Sequence, residues 1–322
     1  MTEPFDDDPD NILEQCAPKG RVIDYKEHKE KLVLLRNKIE CPATDVEPVY
    51  EKVILKRSTD TKYIETGIEW WDTFSRRLRR GNTYTLAGYP GVGKTTFALN
   101  LSWSLAKKYK VWYYCIEMMA DEVFEVLAGH ILKNAEYSPE EEVLAYCQMK
   151  ERKFYFYEPR GFVPWRERLN EILLTVRNEG IEVVFIDNLS FLIRDERNTS
   201  EVEARASAEI KGLAQELEIP IILLHHLRKP MSDSSEPEPT MHTQKGSGAI
   251  LGDASDAWIL HHPMTDGEHM LRSPNGYILS GKPRWGTGGK RYVRLEGSQR
   301  TYYPSSKEEY KKSNSKHNGG TF

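Results

Sequence analysis

Apolar residues in this chain fall into short, nearly continuous runs separated by longer segments with a helical rhythm. The runs at 83–87, 111–116, 154–157, 183–186, 220–224 and 257–260 are rich in β-prone residues, the pattern of strands buried on both faces. Between most of them, at 95–107, 121–133, 165–178 and 200–216, apolar positions recur with a period near that of an α-helix. This alternation predicts an α/β fold, a mostly parallel sheet covered by helices on both faces. Further runs at about 276–281, 291–295 and 300–304 predict an antiparallel extension at the C-terminal side.

The flanks look different. Residues 1–21 are acidic, carry Pro4, Pro9 and Pro18, and read as a disordered tail. Residues 22–62 read as a helix plus a linker; Val22, Tyr25, Leu32, Leu35 and Ile39 give its helix an apolar side, suited to a neighbouring subunit or to its own core. The main domain is expected over 63–304 and a polar, disordered tail over 305–322. Inside the domain, residues 231–245 are rich in Ser, Pro and Glu and read as a mobile loop. No apolar run is long enough for a transmembrane helix, and the acidic N-terminus is unlike a secretory signal. The four cysteines are scattered without C-x-x-C spacing, as in a reducing cytoplasm. With a net charge of −4, any nucleic-acid site must be a local basic stripe.

The most specific motif is Gly88-Tyr-Pro90-Gly91-Val92-Gly93-Lys94-Thr95, between a strand run and a helical run. It fits G-x-x-x-x-G-K-[ST], the phosphate-binding P-loop. Backbone amides of this loop, the helix N-terminus and the following Thr96 would cradle a phosphate chain. Lys94 would reach the β- and γ-phosphates of ATP, and the Thr95 hydroxyl would hold Mg²⁺. The run Val183-Val-Phe-Ile-Asp187 ends in an acid at a strand tip, the Walker B pattern, with Asp187 supporting the metal.

Other strand ends carry candidate chemistry. Glu117 follows the strand after the P-loop helix, on the edge that faces the ligand crevice of an open parallel sheet. It could orient and deprotonate an attacking water; a solvated surface Glu is the plain alternative. The run ending His225-His226 is followed by Arg228 and Lys229. Adjacent side chains of an extended chain point to opposite faces, so one histidine alone can face a nucleotide. The cations suit nucleic-acid phosphates, or simply solvent. Lys245-Gly246-Ser247 opens a glycine-rich turn that could grip a phosphate or serve only as a turn. Lys282 and Arg284 stand at another strand end, where Arg284 could act as an arginine finger on a neighbouring subunit's nucleotide, or flank a surface β-turn.

Taken in order, these segments resemble the RecA-like motor domain of hexameric replicative helicases of the DnaB superfamily, close to phage primase–helicases and Twinkle. The carrying residues are Thr66-Gly67-Ile-Glu-Trp-Trp-Asp72, Ile116-Glu117-Met118, His226-Leu227-Arg228, Gly246-Ser-Gly-Ala-Ile250 and Lys282-Pro-Arg284. The resemblance implies a RecA-like P-loop NTPase fold and an ATP- and Mg²⁺-dependent DNA helicase. It also implies a homo-oligomeric ring, usually a hexamer, around single-stranded DNA, with a primase or polymerase as replisome partner and a bacterial or phage-infected cytoplasm as setting. By match, Glu117 is its catalytic carboxylate, His226 the phosphate sensor, Arg284 the finger given in trans and Lys282 its companion. Arg228, Lys229 and Lys245 then face DNA. The residues before 63 are too few for the N-terminal or primase domain that usually precedes such motors. Two other readings share the phosphate loop: a RecA/RepA-like DNA-binding ATPase without processive unwinding, and a nucleotide-dependent switch.

Overall fold

A run of consecutive apolar residues needs cover on both sides, and the sheet provides it. The computed structural model describes residues 63–75, 77–152, 154–157, 161, 163–193, 199–227, 236–240, 248–264, 271–281 and 288–314. They belong to a unit spanning Asp60–Phe322. The expected tail at 1–21 and the helix and linker at 22–62 lie outside the described residues.

In chain order the elements begin with β1 (Tyr63–Ile64), α1 (Glu69–Ser75), β2 (Leu78–Arg79), β3 (Thr83–Gly88) and α2 (Lys94–Leu105). There follow β4 (Val111–Cys115), α3 (Ala120–Leu132), α4 (Pro139–Glu151), β5 (Phe154–Phe156) and α5 (Trp165–Glu179). Next come β6 (Val183–Asp187), α6 (Leu189–Leu192), α7 (Thr199–Leu217), β7 (Ile221–His226) and α8 (Gly248–Asp253). The chain continues through β8 (Asp256–His261), β9 (Asn275–Ser280), β10 (Gly289–Glu296), β11 (Thr301–Pro304) and α9 (Lys307–Asn314). The main sheet has nine strands in the order β11-β10-β9-β8-β3-β7-β6-β4-β5. From β8 to β5 every neighbour is parallel. From β8 outward through β9, β10 and β11 the pairing is antiparallel.

Side chains alternate between the two faces. Leu86, Tyr113, Phe185, Leu224 and Trp258 enter one apolar layer with α2 and α3. Trp112, Tyr114, Val184, Ile186 and Leu223 enter the other with α5 and α7. Helix α2 is buried almost all round, from Phe97 to Leu105, so it sits inside the fold rather than on it. The lead-in to β3 is fixed by Asp72, whose carboxylate accepts from the Thr66 and Gly67 amides at 2.9 and 3.0 Å. Trp71 beside it packs edge-on against Trp258 at 4.8 Å, closing the aromatic end of the core.

Two sequence expectations need correction. The tail from 305 is not irregular throughout: Lys307–Asn314 form α9. Ser306 and Glu309 make a reciprocal cap at 3.0 Å each way, and Tyr310 packs on Tyr277 and Tyr292 at 5.8 and 5.2 Å, giving this polar helix an anchor. Residues 315–322 lie outside the described set. Within the expected mobile loop, 236–240 has no regular structure but is tied down by side chains. Glu236 pairs with Arg272 at 2.8 Å, Pro237 O accepts from the Tyr89 hydroxyl at 3.5 Å, and Glu238 accepts from Tyr277 at 2.9 Å.

Candidate functional site

The site forms where the parallel strands end. Register places Gly88 of β3 opposite His226 of β7, and Asp187 of β6 opposite Cys115 of β4. The carboxyl ends of four strands therefore share one edge, the position that an open α/β sheet offers a ligand. Glu117 follows β4 there, beyond the Ile116 amide that donates to Asp187 O at 2.7 Å.

The loop after β3 fits a phosphate chain. Gly88 passes so close to its neighbours that a Cβ would lie 2.7 Å from Val92 Cγ1 and 2.8 Å from the Leu260 carbonyl. Gly93, at φ 89°, caps α2 in the left-handed region, and a Cβ there would meet the Tyr302 hydroxyl at 2.5 Å. Lys94 is 5% exposed. Its ammonium donates to the carbonyls of Gly88 and Tyr89 and to Nδ1 of His226, each at 3.1 Å. All three of its protons are thus engaged within the protein. Burial pulls its pKa down to about 8 despite the nearby Asp187 and Glu117.

Asp187 is almost fully buried. Its Oδ2 accepts from the hydroxyls of Thr95 and Tyr113, both at 2.8 Å. Burial pushes its carboxyl up to about 6, against those hydrogen bonds. The paired Thr95 hydroxyl and Asp187 carboxylate are hard oxygen donors at the foot of the phosphate loop, a set that suits Mg²⁺. Among the described residues no group of three or more His, Cys, Asp or Glu forms a metal cluster, so a cation here would need phosphate oxygens and water as well.

Next to Asp187, Asn188 sits between the remaining groups. Its Oδ1 accepts from the Phe191 amide at 3.2 Å and caps α6. Its Nδ2 donates to Glu117 Oε2 in a short hydrogen bond and lies 3.1 Å from His226 Nε2. Because Lys94 donates to Nδ1, the ring proton of neutral His226 is assigned to Nε2, which faces Glu117 Oε2 at 3.7 Å; Asn188 Nδ2, itself a donor, is then a neighbour of Nε2 and not its hydrogen-bond partner. Burial, then the Lys94 charge, holds His226 below its ordinary pKa, so the neutral form dominates near pH 7. His225 points away, 4% exposed, with its pKa lowered to about 4 by burial.

The sequence-selected residues Lys94, Thr95, Glu117, Asp187 and His226 therefore meet in one place. Pro90 and Gly91 sit on the exposed lip of the loop, Val92 is buried beneath it, and Thr96 is half-buried in the first turn of α2. Arg228, Lys229, Lys245, Gly246, Ser247, Lys282 and Arg284 lie outside the described residues. Sequence reasoning missed Asn188, Tyr113, Arg272 and Tyr302. Arg272 donates to the Pro90 carbonyl at 2.8 Å, and the Tyr302 hydroxyl donates to the Val92 carbonyl at 3.3 Å. Only Asn188 carried a signal, as a polar residue directly after the Walker B acid.

A phosphate loop on the central strand, an acid at the tip of β6 and a carboxylate beyond β4 define the class: a P-loop fold of the RecA-like ATPase type. The chain belongs to the family described as the DnaB-like helicase C terminal domain, whose model matches residues 63–302. It is 27% identical over 242 residues to a probable plasmid replicative DNA helicase of Chlamydia muridarum, covering 70% of this chain and 51% of that protein. It is also 27% identical over 224 residues to the replicative DNA helicase DnaB of Helicobacter pylori, covering 64% and 45%. The chain thus spans about half the length of these relatives. Among solved structures, an isolated ATPase domain superposes with TM-score 0.69 at 18% identity, covering 82% of this chain and all of that one. A DnaB-like replicative helicase, studied with its interactions with primase, gives TM-score 0.65 at 18% identity, covering 92% and 75%. These two likenesses establish a shared fold.

Proposed function

We propose that this chain is the ATP-hydrolysing motor of a replicative DNA helicase, assembled as a homo-oligomeric ring on single-stranded DNA. The observation that carries the reading is the convergence of Lys94, Asp187, Glu117 and His226 at one sheet edge, with Lys94 bonded to His226, Asp187 to Thr95 and Glu117 to Asn188. The family match over 63–302 favours it over a RepA-like ATPase that does not unwind processively.

In this reading Lys94 leaves the Gly88 and Tyr89 carbonyls and His226, and turns its charge onto the β- and γ-phosphates of ATP. The Thr95 hydroxyl and the Asp187 carboxylate hold Mg²⁺, which when bound neutralises phosphate charge. Glu117 orients the attacking water and takes its proton, and Asn188 keeps that carboxylate aimed. His226, neutral and freed from Lys94, hydrogen-bonds the γ-phosphate and reports its presence to β7.

Two parts of the proposal rest on sequence resemblance. Arg284 of one subunit, with Lys282 beside it, completes the site of the next. Arg228, Lys229, Lys245, Gly246 and Ser247 face the DNA strand. The exposed Val143, Leu144 and Tyr146 on α4 offer an apolar face to a neighbouring subunit. A hexamer, a primase or polymerase partner and a bacterial or phage-infected cytoplasm follow from the same reading. Among the described residues no helix is long and apolar enough to cross a membrane.

The test is ATP hydrolysis with and without single-stranded DNA, followed by unwinding of a forked duplex. Turnover that rises with DNA, and strand separation that needs ATP, are expected. Hydrolysis indifferent to DNA by a protein that stays monomeric would remove the motor reading.

A further inference from the structure

The segment 236–240 is fastened to the phosphate loop through Arg272 and Tyr89, and to β9 and β10 through Glu238. At its start Glu236 pairs with the Arg272 guanidinium: Nη2 donates to Oε1 at 3.0 Å, and Oε2 lies 2.8 Å from the same nitrogen. The two side chains are 13% and 17% exposed, so water screens the pair only weakly. The same guanidinium donates to the Pro90 carbonyl at 2.8 Å and to the His262 carbonyl at 3.1 Å. Arg272 is thus a junction between three pieces of chain: the strap, the loop and the end of β8. It also lies close enough to the nucleotide site to depress the Lys94 pKa, after burial the main cause that acts in that direction. The Tyr89 hydroxyl adds a second, longer tie from the loop to Pro237 O at 3.5 Å. Two residues on, Glu238 accepts from Tyr277 of β9 at 2.9 Å and from Lys290 of β10 at 2.5 Å.

Chain continuity gives this geometry a consequence. The strap joins Lys229 on one side to Lys245 on the other. These are residues the proposed function assigns to DNA, and they bracket a strap fastened to the phosphate loop.

We infer that Glu236 and Arg272 form a positioning pair that couples the phosphate loop to the DNA-facing segment. Arg272 holds the Pro90 carbonyl, and with it the lip of the loop; Glu236 fixes Arg272 and hands any displacement of the strap to that lip. Strand engagement that pulls the strap changes how the loop closes on triphosphate, and nucleotide binding restrains the strap in return, because coupling between two sites is reciprocal. Neither residue contacts the reacting atoms; both act through the loop. The inference rests on the proposed motor reading for its DNA arm and on the geometry alone for its nucleotide arm.

The experiment uses the full chain with E236Q, R272Q, R272K and E238Q. A fluorescent ATP analogue gives nucleotide affinity without turnover; steady-state hydrolysis gives KM and kcat with and without oligo-dT. E236Q and R272Q are expected to weaken nucleotide binding about tenfold, the scale of one charge-assisted hydrogen bond, and to reduce the stimulation by DNA. R272K keeps a charged donor for Glu236 and the Pro90 carbonyl, so it should retain part of the affinity that R272Q loses, which a general loss of packing would not do. E238Q loosens the strap from β9 and β10 without touching the loop, so it should reduce DNA stimulation more than affinity. Folded E236Q and R272Q proteins that match the wild type in affinity and stimulation would overturn the inference. So would a wild type that binds no nucleotide. A wild type that binds nucleotide but ignores DNA sinks the motor reading and the DNA arm, while the affinity of E236Q still decides the nucleotide arm.

Discussion

The two halves of the sheet divide the work. The parallel strands β3, β4, β6 and β7 present every described group to which the proposal gives a chemical role, from Lys94 through Glu117 and Asp187 to His226. The antiparallel strands β9 to β11 and the turn before them present bracing instead. Arg272 grips the Pro90 carbonyl, Tyr302 reaches the Val92 carbonyl, and the Asn100 side chain of α2 is tied to Tyr302 N at 2.7 Å and Arg300 O at 3.0 Å. Parallel strands end side by side and so gather polar tips at one edge. An antiparallel extension cannot do that, but it can turn back under the same loop and fix its carbonyls. Preorganisation of this kind removes reorganisation from the chemical step.

The largest expected effect sharpens the contrast from the parallel side. Glu117→Gln keeps the size of the side chain and removes the proposed base. It is expected to lower kcat by about 10²- to 10⁴-fold, the usual range for losing a positioned general base. ATP affinity should change little, because Lys94 and the loop are untouched. Equal losses in kcat and in nucleotide binding would place Glu117 among the binding groups and break the assignment.

Acid tests the extension next. His261 and His262 at the end of β8 are pushed down to about 4 by burial, as is His225 of β7; burial takes His130, bonded to Thr301 at 2.9 Å, to about 3. Each folded pKa is below the unfolded value, so the unfolded chain binds more protons between about 4 and 6.5, and stability falls as pH drops through that window. The scale at pH 5.5 is about 1 kcal/mol per histidine. Asp187, raised to about 6, acts with the opposite sign: it favours the fold on protonation and offsets part of the loss in the parallel half. Three of the four histidines, His261, His262 and His130, touch the extension or the end of β8. Hydrogen exchange at pH 5.5 against 7.5 should therefore show β9–β11 amides losing protection before those of β6 and β7. The reverse order would remove this distinction between the halves.

The same division explains what could be read from sequence. Buried parallel strands need unbroken apolar runs, and their order around the P-loop was enough to send Lys94, Thr95, Asp187, Glu117 and His226 to one edge. The α4 helix went unread: Ser138-Pro139-Glu-Glu141 is a capping box with proline at the first helical position, but the low apolar content of the helix concealed it. The bracing was not legible. Arg272 and Glu236 are single charges distant in sequence from the loop they hold, and Tyr302 sits in a Thr-Tyr-Tyr-Pro run that reads only as strand. No spacing rule connects such residues, because their partners are backbone carbonyls, which every residue has. Chemistry that depends on residue type leaves a motif; support that depends on reach does not.

The smallest expected effect asks whether the extension matters to the loop at all. Tyr302→Phe removes one hydroxyl from a buried ring that still packs edge-on against Phe97 at 5.3 Å. What is lost is the hydrogen bond to the Val92 carbonyl, with the longer contact to Gly93 O at 3.5 Å. The expected cost is about 1 kcal/mol. For a domain of this size that is a fall of about 2–4 °C in Tm. If the hydroxyl only fills space, Tm falls and the ATP KM is unchanged. If it sets the height of the Val92 carbonyl beneath the phosphates, KM rises a few-fold while Glu117-dependent kcat is preserved. A rise in KM is the expected result, because the hydroxyl sits where a Cβ on Gly93 would collide and so defines the floor on which the loop rests. An unchanged KM would confine the role of the extension to folding and leave catalysis to the parallel half alone.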